Sequence, residues 1–331
     1  MIPIHFAYNS TSWDEATDKP VPGGQGDRYY ATVRSALDSM GVAYTVGRQP
    51  LSGALNLYLS NRDRYTPDSS RMDAVSVHTS HGLADKRYRE HAKTRSFNHL
   101  FLPGPVFARL LTSERVPPWK LWVNGYPKLD PLFDAERAEN TSGKVRVLYA
   151  PTHGGGSEAH TEGNRSAPGA RATSWWDRDS LLELLEGAGF EVTLSPHPRH
   201  DSARQATFQE YLEADVVLAD GGSTVFEAMA LGLPVVVPAW LTAARNIQRG
   251  LGGKSLENIF YVQEFGLHAR NPAELHRLIE KAASEGLDER SAEFMETVLP
   301  ADFRGSSGQR WAEDIAWISE EELLVNPLVR G

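Results

Sequence analysis

Short apolar runs alternate with amphipathic segments along the chain. In the first half, five runs have the length of buried strands: 2–8, 42–46, 55–60, 74–80 and 99–104. Helical periodicity appears at 28–40 and again at 105–113, where a proline stands in the first predicted turn. This alternation predicts strands joined by helices.

The same pattern starts again in the second half. Strand-like runs lie at 144–152, 190–198, 215–220 and 234–240, and helical segments at 180–189, 206–214 and 308–324. Strands that alternate with helices form parallel sheets covered on both faces. The predicted fold class is therefore α/β, with two Rossmann-like domains whose parallel sheets face a cleft.

The polar segment 134–143 has no periodicity and predicts a linker between the halves. We expect an N-terminal domain over 1–140, a C-terminal domain over 141–305 and a C-terminal helix over 306–331, and 331 residues are enough for two domains. The stretch 153–174 is rich in glycine, serine and histidine. Its length predicts a mobile active-site loop, with plain disorder as the alternative.

Composition narrows the function classes. The chain has no cysteine, which excludes disulfides, thiolate metal sites and a cysteine nucleophile. No apolar run reaches the roughly 20 residues that span a bilayer, and the N-terminus lacks the features of a secretory signal, so we expect a cytoplasmic protein. A net charge of −9 argues against broad nucleic-acid binding. The basic cluster 86–95 is interpreted as a solvated helix face, with a membrane-binding patch as the alternative.

The stretch DGGSTVFEA places Gly221, Gly222, Ser223 and Thr224 directly after the strand-like run 215–220. Glycines let backbone amides approach an anion, and a helix start offers N–H groups and a favourable dipole. The alternative is structural, since Thr224 and Glu227 have the spacing of a capping box and need no ligand.

A histidine beyond another strand favours the ligand-binding interpretation. His197 lies at the end of the strand-like run 190–198, between two prolines, and Arg199 follows the second proline. Prolines end strands, so the imidazole is expected at the carboxyl edge of the sheet, where it can donate to phosphate oxygens. The alternative is a solvated loop histidine.

His81 is the candidate general base of the first half. It follows the strand-like run 74–80, and the ordinary pKa of histidine is near neutrality. His78 competes for this role, although strand alternation favours a position inside the sheet. The segments 123–133 and 148–155 add polar groups and prolines, and an interdomain hinge is the alternative for the first of them.

These motifs occur in a characteristic order: HG...K at 81–86, GYPKLD at 125–130, YAPT at 149–152, HP at 197–198 and D....DGGST at 215–224. The series resembles the CDP-glycerol glycerophosphotransferase family and, more broadly, the GT-B glycosyltransferases that use nucleotide-activated donors. The resemblance covers about half of the chain, from residue 74 to residue 240.

The resemblance implies a transferase that needs neither a metal nor a cofactor. Its substrates would be a nucleotide diphosphate donor (UDP-, GDP- or CDP-linked) and an acceptor hydroxyl on a polyol phosphate, a glycan or a modified DNA base. His81 would deprotonate the acceptor, while the donor would be bound by His197, Arg199, Gly221, Gly222, Ser223, Thr224 and Glu227. Further candidates from the same motifs are Lys86, Asp130, Thr152, His153 and Asp220.

The sequence also departs from the glycerophosphotransferase pattern. Glu227 replaces the later aspartate of those enzymes and resembles the glutamate that binds the donor ribose in sugar-nucleotide enzymes, so sugar transfer is as well supported as glycerol phosphate transfer. Three alternatives stay open: transfer to hydroxymethylated DNA, a non-catalytic nucleotide-binding protein, and an epimerase. The only compact Asp-x-Asp, Asp177 to Asp179, is interpreted as a helix cap rather than a metal site.

Overall fold

The computed structural model describes most of the chain and divides it into two compact units. The described residues are 1–8, 13–22, 24–59, 74–79, 82–84, 94–152, 173–197, 207–242 and 255–325. Unit 1 contains those within 1–82, 86–134 and 296–331, and unit 2 contains those within 83–85 and 135–295.

Unit 1 is built on a six-stranded parallel sheet. In chain order, the strands of unit 1 are β1 (Ile4–Ala7), β2 (Trp13–Asp14), β3 (Lys19–Pro20), β4 (Tyr44–Gly47), β5 (Leu55–Tyr58), β6 (Val75–Thr79), β7 (His99–Leu102) and β8 (Leu121–Val123). β2 and β3 pair with each other in a small antiparallel hairpin outside the six-stranded sheet. The order across the sheet is β4-β1-β5-β6-β7-β8. β1, β5, β6 and β7 are buried at every position, as expected for strands covered on both faces.

Among the described residues of the N-terminal half, unit 1 has three α-helices: α1 (Gln25–Ser39), α2 (Pro105–Ser113) and α3 (Asp130–Phe133). α2 begins with the predicted proline in its first turn, where the missing N–H has no cost. Short 3-10 turns at Pro118–Lys120 and Pro127–Leu129 connect β8 to its neighbours.

Unit 2 is built on a five-stranded parallel sheet. Its strands are β9 (Arg146–Tyr149), β10 (Glu191–Leu194), β11 (Val216–Leu218), β12 (Val235–Pro238) and β13 (Leu267–Ala269), in the order β10-β9-β11-β12-β13. Its helices are α4 (Arg178–Gly187), α5 (Glu210–Glu213), α6 (Ser223–Ala230), α7 (Leu256–Gln263), α8 (Pro272–Glu285) and α9 (Glu289–Val298), the last of which ends in unit 1. α4 and α8 pack their apolar side chains onto the sheet.

The last helix, α10 (Ser307–Val325), belongs to unit 1 and packs against α1. The Ile2 N–H donates to the Ser319 carbonyl at 2.8 Å, and the Ser319 hydroxyl donates back to the Ile2 carbonyl at 2.7 Å. Residues 296–305, which the sequence grouped with the C-terminal domain, also lie in unit 1.

The segment predicted as a linker is bound to unit 2 from residue 135 onward. The Ala138 N–H donates to the Leu212 carbonyl at 3.0 Å, and the Asn140 side chain donates to Asp215 at 2.9 Å. Arg146 at the start of β9 forms an ion pair with the same Asp215 carboxylate at 2.8 Å. The polar composition of this segment therefore reflects hydrogen bonding at the amino edge of the sheet.

The α/β class with two parallel sheets is confirmed. Every predicted strand of the sequence corresponds to one in the structure, whereas β13 and the β2–β3 hairpin were missed. The helix predicted over 206–214 is much shorter, since among the described residues α5 has only four. Among the described residues, no helix is long and apolar enough to cross a membrane.

Candidate functional site

Three neighbouring strands of unit 2 bring candidate residues to one edge of the sheet. Thr152 follows β9, His197 follows β10 and Asp220 follows β11, and β9 lies between the other two strands. Because the strands are parallel, these residues lie at the common carboxyl edge, the usual ligand-binding edge of open α/β sheets. Thr152 and Asp220 are buried, and His197 is partly buried.

The turn between β11 and α6 has a conformation that requires glycine. Gly221 has a φ of 147° and Gly222 a φ of 74°, both in the region that side chains disfavour. A Cβ on Gly221 would also lie 3.0 Å from Oε1 of Glu257, a buried residue in the first turn of α7. The two glycines bring the chain sharply into the start of α6.

The capping-box interpretation of Thr224 and Glu227 is wrong. The helix begins at Ser223 with Gly222 as the N-cap residue, so Thr224 already lies inside the first turn. Gly222, the N-cap residue, has no side chain that could cap this helix. The first N–H groups of a helix have no partner within it, so the start of α6 can receive an anion.

The Asp220 carboxylate holds three chain segments together. It accepts hydrogen bonds from the Thr152 N–H at 2.7 Å, from the Ser174 N–H at 2.5 Å and hydroxyl at 2.8 Å, and from the Thr173 hydroxyl at 3.1 Å. Burial raises its pKa to about 6 despite these four bonds, each of which favours the ionised form. Asp220 therefore acts as a positioning group for the turn.

One face of α7 fixes the same turn from the other side. The Tyr261 hydroxyl donates to the main-chain carbonyl of Asp220 and lies 3.3 Å from the Thr242 hydroxyl. Glu257, one helical turn earlier on α7, lies so close to Gly221 that a Cβ there would be 3.0 Å from its Oε1. α7 therefore holds the main chain of Asp220 and leaves no room for a side chain at Gly221.

Glu227 lies on α6 and is almost fully buried, with 2% of its surface exposed. Its Oε2 accepts a hydrogen bond from the Tyr211 hydroxyl of α5 at 3.2 Å. Burial, and after it the negative charge of Glu227, raises the pKa of the Tyr211 hydroxyl.

Electrostatics around the turn do not by themselves favour an anion. Three buried carboxylates lie beside the turn: Asp220 directly before it, Glu227 on α6 and Glu257 on α7. The turn supplies N–H groups and the Ser223 hydroxyl, but a diphosphate bound there would also need cationic neighbours. His197 is the described candidate for that role.

Several predicted residues fall outside the described part of the chain: His81, Lys86, His153 and Arg199. The basic cluster is likewise outside it up to residue 93. Arg95, which is described, donates to the Glu114 carbonyl of unit 1.

Asp130 has a structural position in unit 1. Its carboxylate accepts the N–H groups of Ser307 at 3.3 Å and of Gly308 at 2.6 Å, and so caps the start of α10. Burial raises its pKa to about 6. The Ser307 hydroxyl accepts the Tyr126 N–H at 2.8 Å, so the GYPKLD segment as a whole anchors the last helix.

Sequence reasoning missed the residues that shape the turn, namely Thr173, Ser174, Tyr211, Glu257 and Tyr261. Thr173 and Ser174 end the long polar stretch, where their hydroxyls give no distinguishing signal. Tyr211 lies in the predicted helix 206–214, and the pattern of that segment indicates that its side chain is buried. The pattern does not reveal the contact with Glu227 of α6.

In the described residues, no group of three or more histidine, aspartate or glutamate side chains is arranged to hold a metal ion. Asp177 occupies the N-cap position of α4, but its side chain makes no capping hydrogen bond. The Asp177 side chain therefore does not form the helix cap that the sequence predicted for α4.

Comparison with solved structures identifies the fold. The wall teichoic acid polymerase TagF superposes over 97% of this chain and 90% of its own, with a TM-score of 0.57 and 13% identity. A TagF variant gives a TM-score of 0.58 at 12% identity, over 98% of this chain and 90% of its own. MnaA of S. aureus, in a co-structure with UDP, superposes over 97% of both chains with a TM-score of 0.53 and 11% identity.

No protein-family model matches the chain, and no curated protein matches it in sequence. At identities this low, the structural similarity establishes the fold alone. The chain has a GT-B-type fold with two Rossmann-like units, as the order of its sequence motifs predicted.

Proposed function

We propose that the protein is a GT-B transferase that moves a glycosyl or glycerophosphoryl group from a nucleotide diphosphate donor to an acceptor hydroxyl. Unit 2 binds the donor, which is linked to UDP, GDP or CDP. The acceptor is a polyol phosphate or a glycan.

The turn from β11 into α6 carries this proposal. It combines two glycines at positive φ, a helix start with glycine at the N-cap position and a location at the carboxyl edge of a parallel sheet. Such a turn suits a phosphate group, because backbone N–H groups and the helix dipole stabilise negative charge. The bonds to Asp220 hold it in place, so little reorganisation is needed when charge develops on the leaving nucleotide.

His197 and Arg199 complete the donor site in this proposal. They offset the buried carboxylates near the turn and donate to the diphosphate oxygens. Glu227 accepts the hydroxyls of the donor ribose, as the resemblance to sugar-nucleotide enzymes implies. His81 removes the proton of the acceptor hydroxyl as the hydroxyl attacks the donor.

A donor screen tests the proposal. Purified protein is mixed with UDP-, GDP- and CDP-linked donors, with and without polyol phosphate and sugar acceptors. Thermal unfolding reports binding, because a ligand of the native state raises the melting temperature. Mass spectrometry reports which bond has been broken and what has been formed.

At least one donor family is expected to raise the melting temperature and to yield a transferred product. If no nucleotide stabilises the protein and none is consumed, the proposal is wrong. A product formed without any acceptor would indicate an epimerase or hydrolase instead. Binding without turnover, unchanged in His81→Ala, would indicate a nucleotide-binding protein without catalysis.

Transfer to hydroxymethylated DNA is the second acceptor class that the sequence left open. It predicts a salt-sensitive gel shift with duplex DNA, since phosphate contacts weaken as salt rises. A polyol phosphate or glycan acceptor predicts no such shift.

A further inference from the structure

Unit 1 exposes tryptophan side chains beside the last strand of its sheet. Trp119, in the 3-10 turn before β8, is 68% exposed, and Trp317 on α10 is 53% exposed. The ring of Trp317 lies 5.5 Å from that of Trp122 in β8, centroid to centroid. We call Trp119, Trp122 and Trp317 the tryptophan patch. Clustered exposed aromatic side chains are typical of interaction surfaces.

The main chain of β8 offers hydrogen-bonding groups on its outer side. β8 ends the order of the sheet, and no described strand pairs with it on the side away from β7. The Asn124 N–H donates to the Leu102 carbonyl, which belongs to β7, at 3.1 Å. Because main-chain groups of successive strand residues point to opposite sides, the Val123 N–H and the Leu121 carbonyl point away from β7. This edge can therefore accept another strand.

A second copy of the chain complements these groups through a two-fold axis at Trp122. In an antiparallel pair centred there, Leu121 of each copy is opposite Val123 of the other. Each Val123 N–H then meets a Leu121 carbonyl, which gives two main-chain hydrogen bonds. The two Trp122 side chains lie directly opposite each other, and aromatic pairs across strands stabilise a sheet.

The same register brings opposite charges together. Lys120 of one copy is opposite Asn124 of the other, since both are two positions from Trp122. The Asn124 side chain donates to the Asp314 carboxylate at 2.8 Å. The Lys120 ammonium of one copy therefore approaches the Asp314 carboxylate of the other, and the two-fold axis repeats this pair.

The exposed area of the patch is of the size that such an interface needs. With about 250 Å² for a whole tryptophan, Trp119 and Trp317 together expose about 300 Å² on each chain, or about 600 Å² in a symmetric pair. Stable interfaces bury about 1,200–2,000 Å² in total, so these two side chains provide about a third to a half of that area. β8 and Trp122 add to it.

The charges on α10 favour a second copy over an anionic membrane. Glu313 and Glu320 are exposed and lie four residues before and three residues after Trp317. At these spacings they border the indole on the helix surface. An anionic lipid surface repels carboxylates in this position and attracts clusters of basic residues instead.

We propose that the tryptophan patch and the outer side of β8 form a symmetric homodimer interface, in which the two β8 strands pair antiparallel about Trp122. The six-stranded sheets of the two copies then continue into each other. This inference does not depend on the proposed function.

The mass of the protein in solution tests the inference. Light scattering is measured on the full chain at about 1–100 μM, because the population of a dimer depends on concentration. The wild type is expected to reach the mass of two chains. Trp119→Ser and Trp317→Ser should each raise the dissociation constant of the dimer about tenfold or more, since buried tryptophans dominate many interfaces. Trp176→Ser is the matched control, because it removes an exposed tryptophan of unit 2 and should leave the dimer unchanged.

A cysteine at the two-fold axis tests the register. The chain has no cysteine, so Trp122→Cys introduces a single thiol. The two opposed Cα atoms at this position are expected about 4.5 Å apart, within reach of a disulfide. Mild oxidation should therefore convert most of this variant into a covalent dimer. Thr193→Cys, at an exposed position on the edge strand β10 of unit 2, is the control and should not cross-link.

The mass of a single chain at every concentration would overturn the inference. A dimer that survives both Trp119→Ser and Trp317→Ser would also overturn it, because the interface would then lie elsewhere. If Trp122→Cys does not fold, these two substitutions at exposed positions decide the question. Binding of the single chain to anionic lipid vesicles, lost in Trp317→Ser, would identify a membrane-binding surface in place of the dimer interface.

Discussion

Replacement of Asp220 by asparagine tests the account of the buried turn through its pH dependence. The carboxylate is fully buried and accepts four hydrogen bonds, two from the main-chain N–H groups of Thr152 and Ser174 and two from hydroxyls. Asparagine has nearly the same shape but does not titrate. Its NH₂ group must also face at least one of those main-chain donors.

The magnitude follows from the pKa of Asp220, which burial raises from an ordinary 3.8 to about 6. Between these values the native state holds a proton that the unfolded state has released, so this group stabilises the protein less as the pH rises. With about 1.4 kcal/mol for each pH unit, an interval of about two units gives about 3 kcal/mol. The stability of the wild type relative to Asp220→Asn should thus fall by about 2.5 kcal/mol between about pH 4 and about pH 7, because a small part of the total is already lost at pH 4.

Urea-induced unfolding at both pH values, followed by circular dichroism, measures this difference, because contributions from distant groups cancel between the two proteins. Asp179→Asn is the control, since it makes the same change on a side chain that is 78% exposed. It shows what the same substitution does at an exposed position. A wild-type advantage for Asp220 that stays constant, or that grows as the pH rises, would refute the reasoning.

Four further predictions concern other parts of the molecule. Gly221→Ala should destabilise the protein by about 1–3 kcal/mol more than Gly189→Ala, as measured by urea unfolding. Both glycines have positive φ, but only a Cβ on Gly221 would meet a neighbouring side chain, that of Glu257 at 3.0 Å. Equal losses of stability would contradict the close approach of Glu257. Asp130→Ala should cost about 1–2 kcal/mol through loss of the cap on α10, while Asp130→Asn keeps most of it, and this loss should appear as faster amide exchange in the first turn of α10; unchanged exchange would argue against the cap. His81→Ala should abolish transfer in a product assay and leave donor affinity within about twofold of the wild type, since a base acts only on the acceptor proton; normal turnover would remove His81 from the mechanism. Transfer should persist in excess EDTA, and its loss and recovery with added Mg²⁺ would show that a metal takes part.

The strands were predictable because their signal is local. In β1, β5 and β6 every side chain is buried, so the apolar run in the sequence and the strand in the sheet coincide. β13 was missed because it has only three residues, one of them histidine, and follows a helix without a distinct apolar run. The polar segment before β9 was predicted as a linker because its hydrogen bonds to Leu212 and Asp215 are long-range contacts that periodicity cannot reveal.

The candidate site shows the same limit. The location of the DGGST turn beyond a strand was predictable, since it depends on the alternation of strands and helices. Whether Thr224 caps the helix or lies within it depends on the φ angles of Gly221 and Gly222, which place the start of α6 at Ser223. Asp130 stands in a motif that suggested a ligand, yet its partners Ser307 and Gly308 are 177 and 178 residues away. Contacts of that kind are visible only in the folded chain.

A crystal structure with the bound nucleoside diphosphate tests the central claim most directly. The account predicts that the diphosphate lies at the start of α6, with its oxygens about 2.7–3.2 Å from the Ser223 hydroxyl and the first N–H groups of the helix. It also predicts that the ribose hydroxyls donate hydrogen bonds to Glu227. A nucleotide bound elsewhere on the chain, or with its diphosphate away from the turn between β11 and α6, would contradict the account.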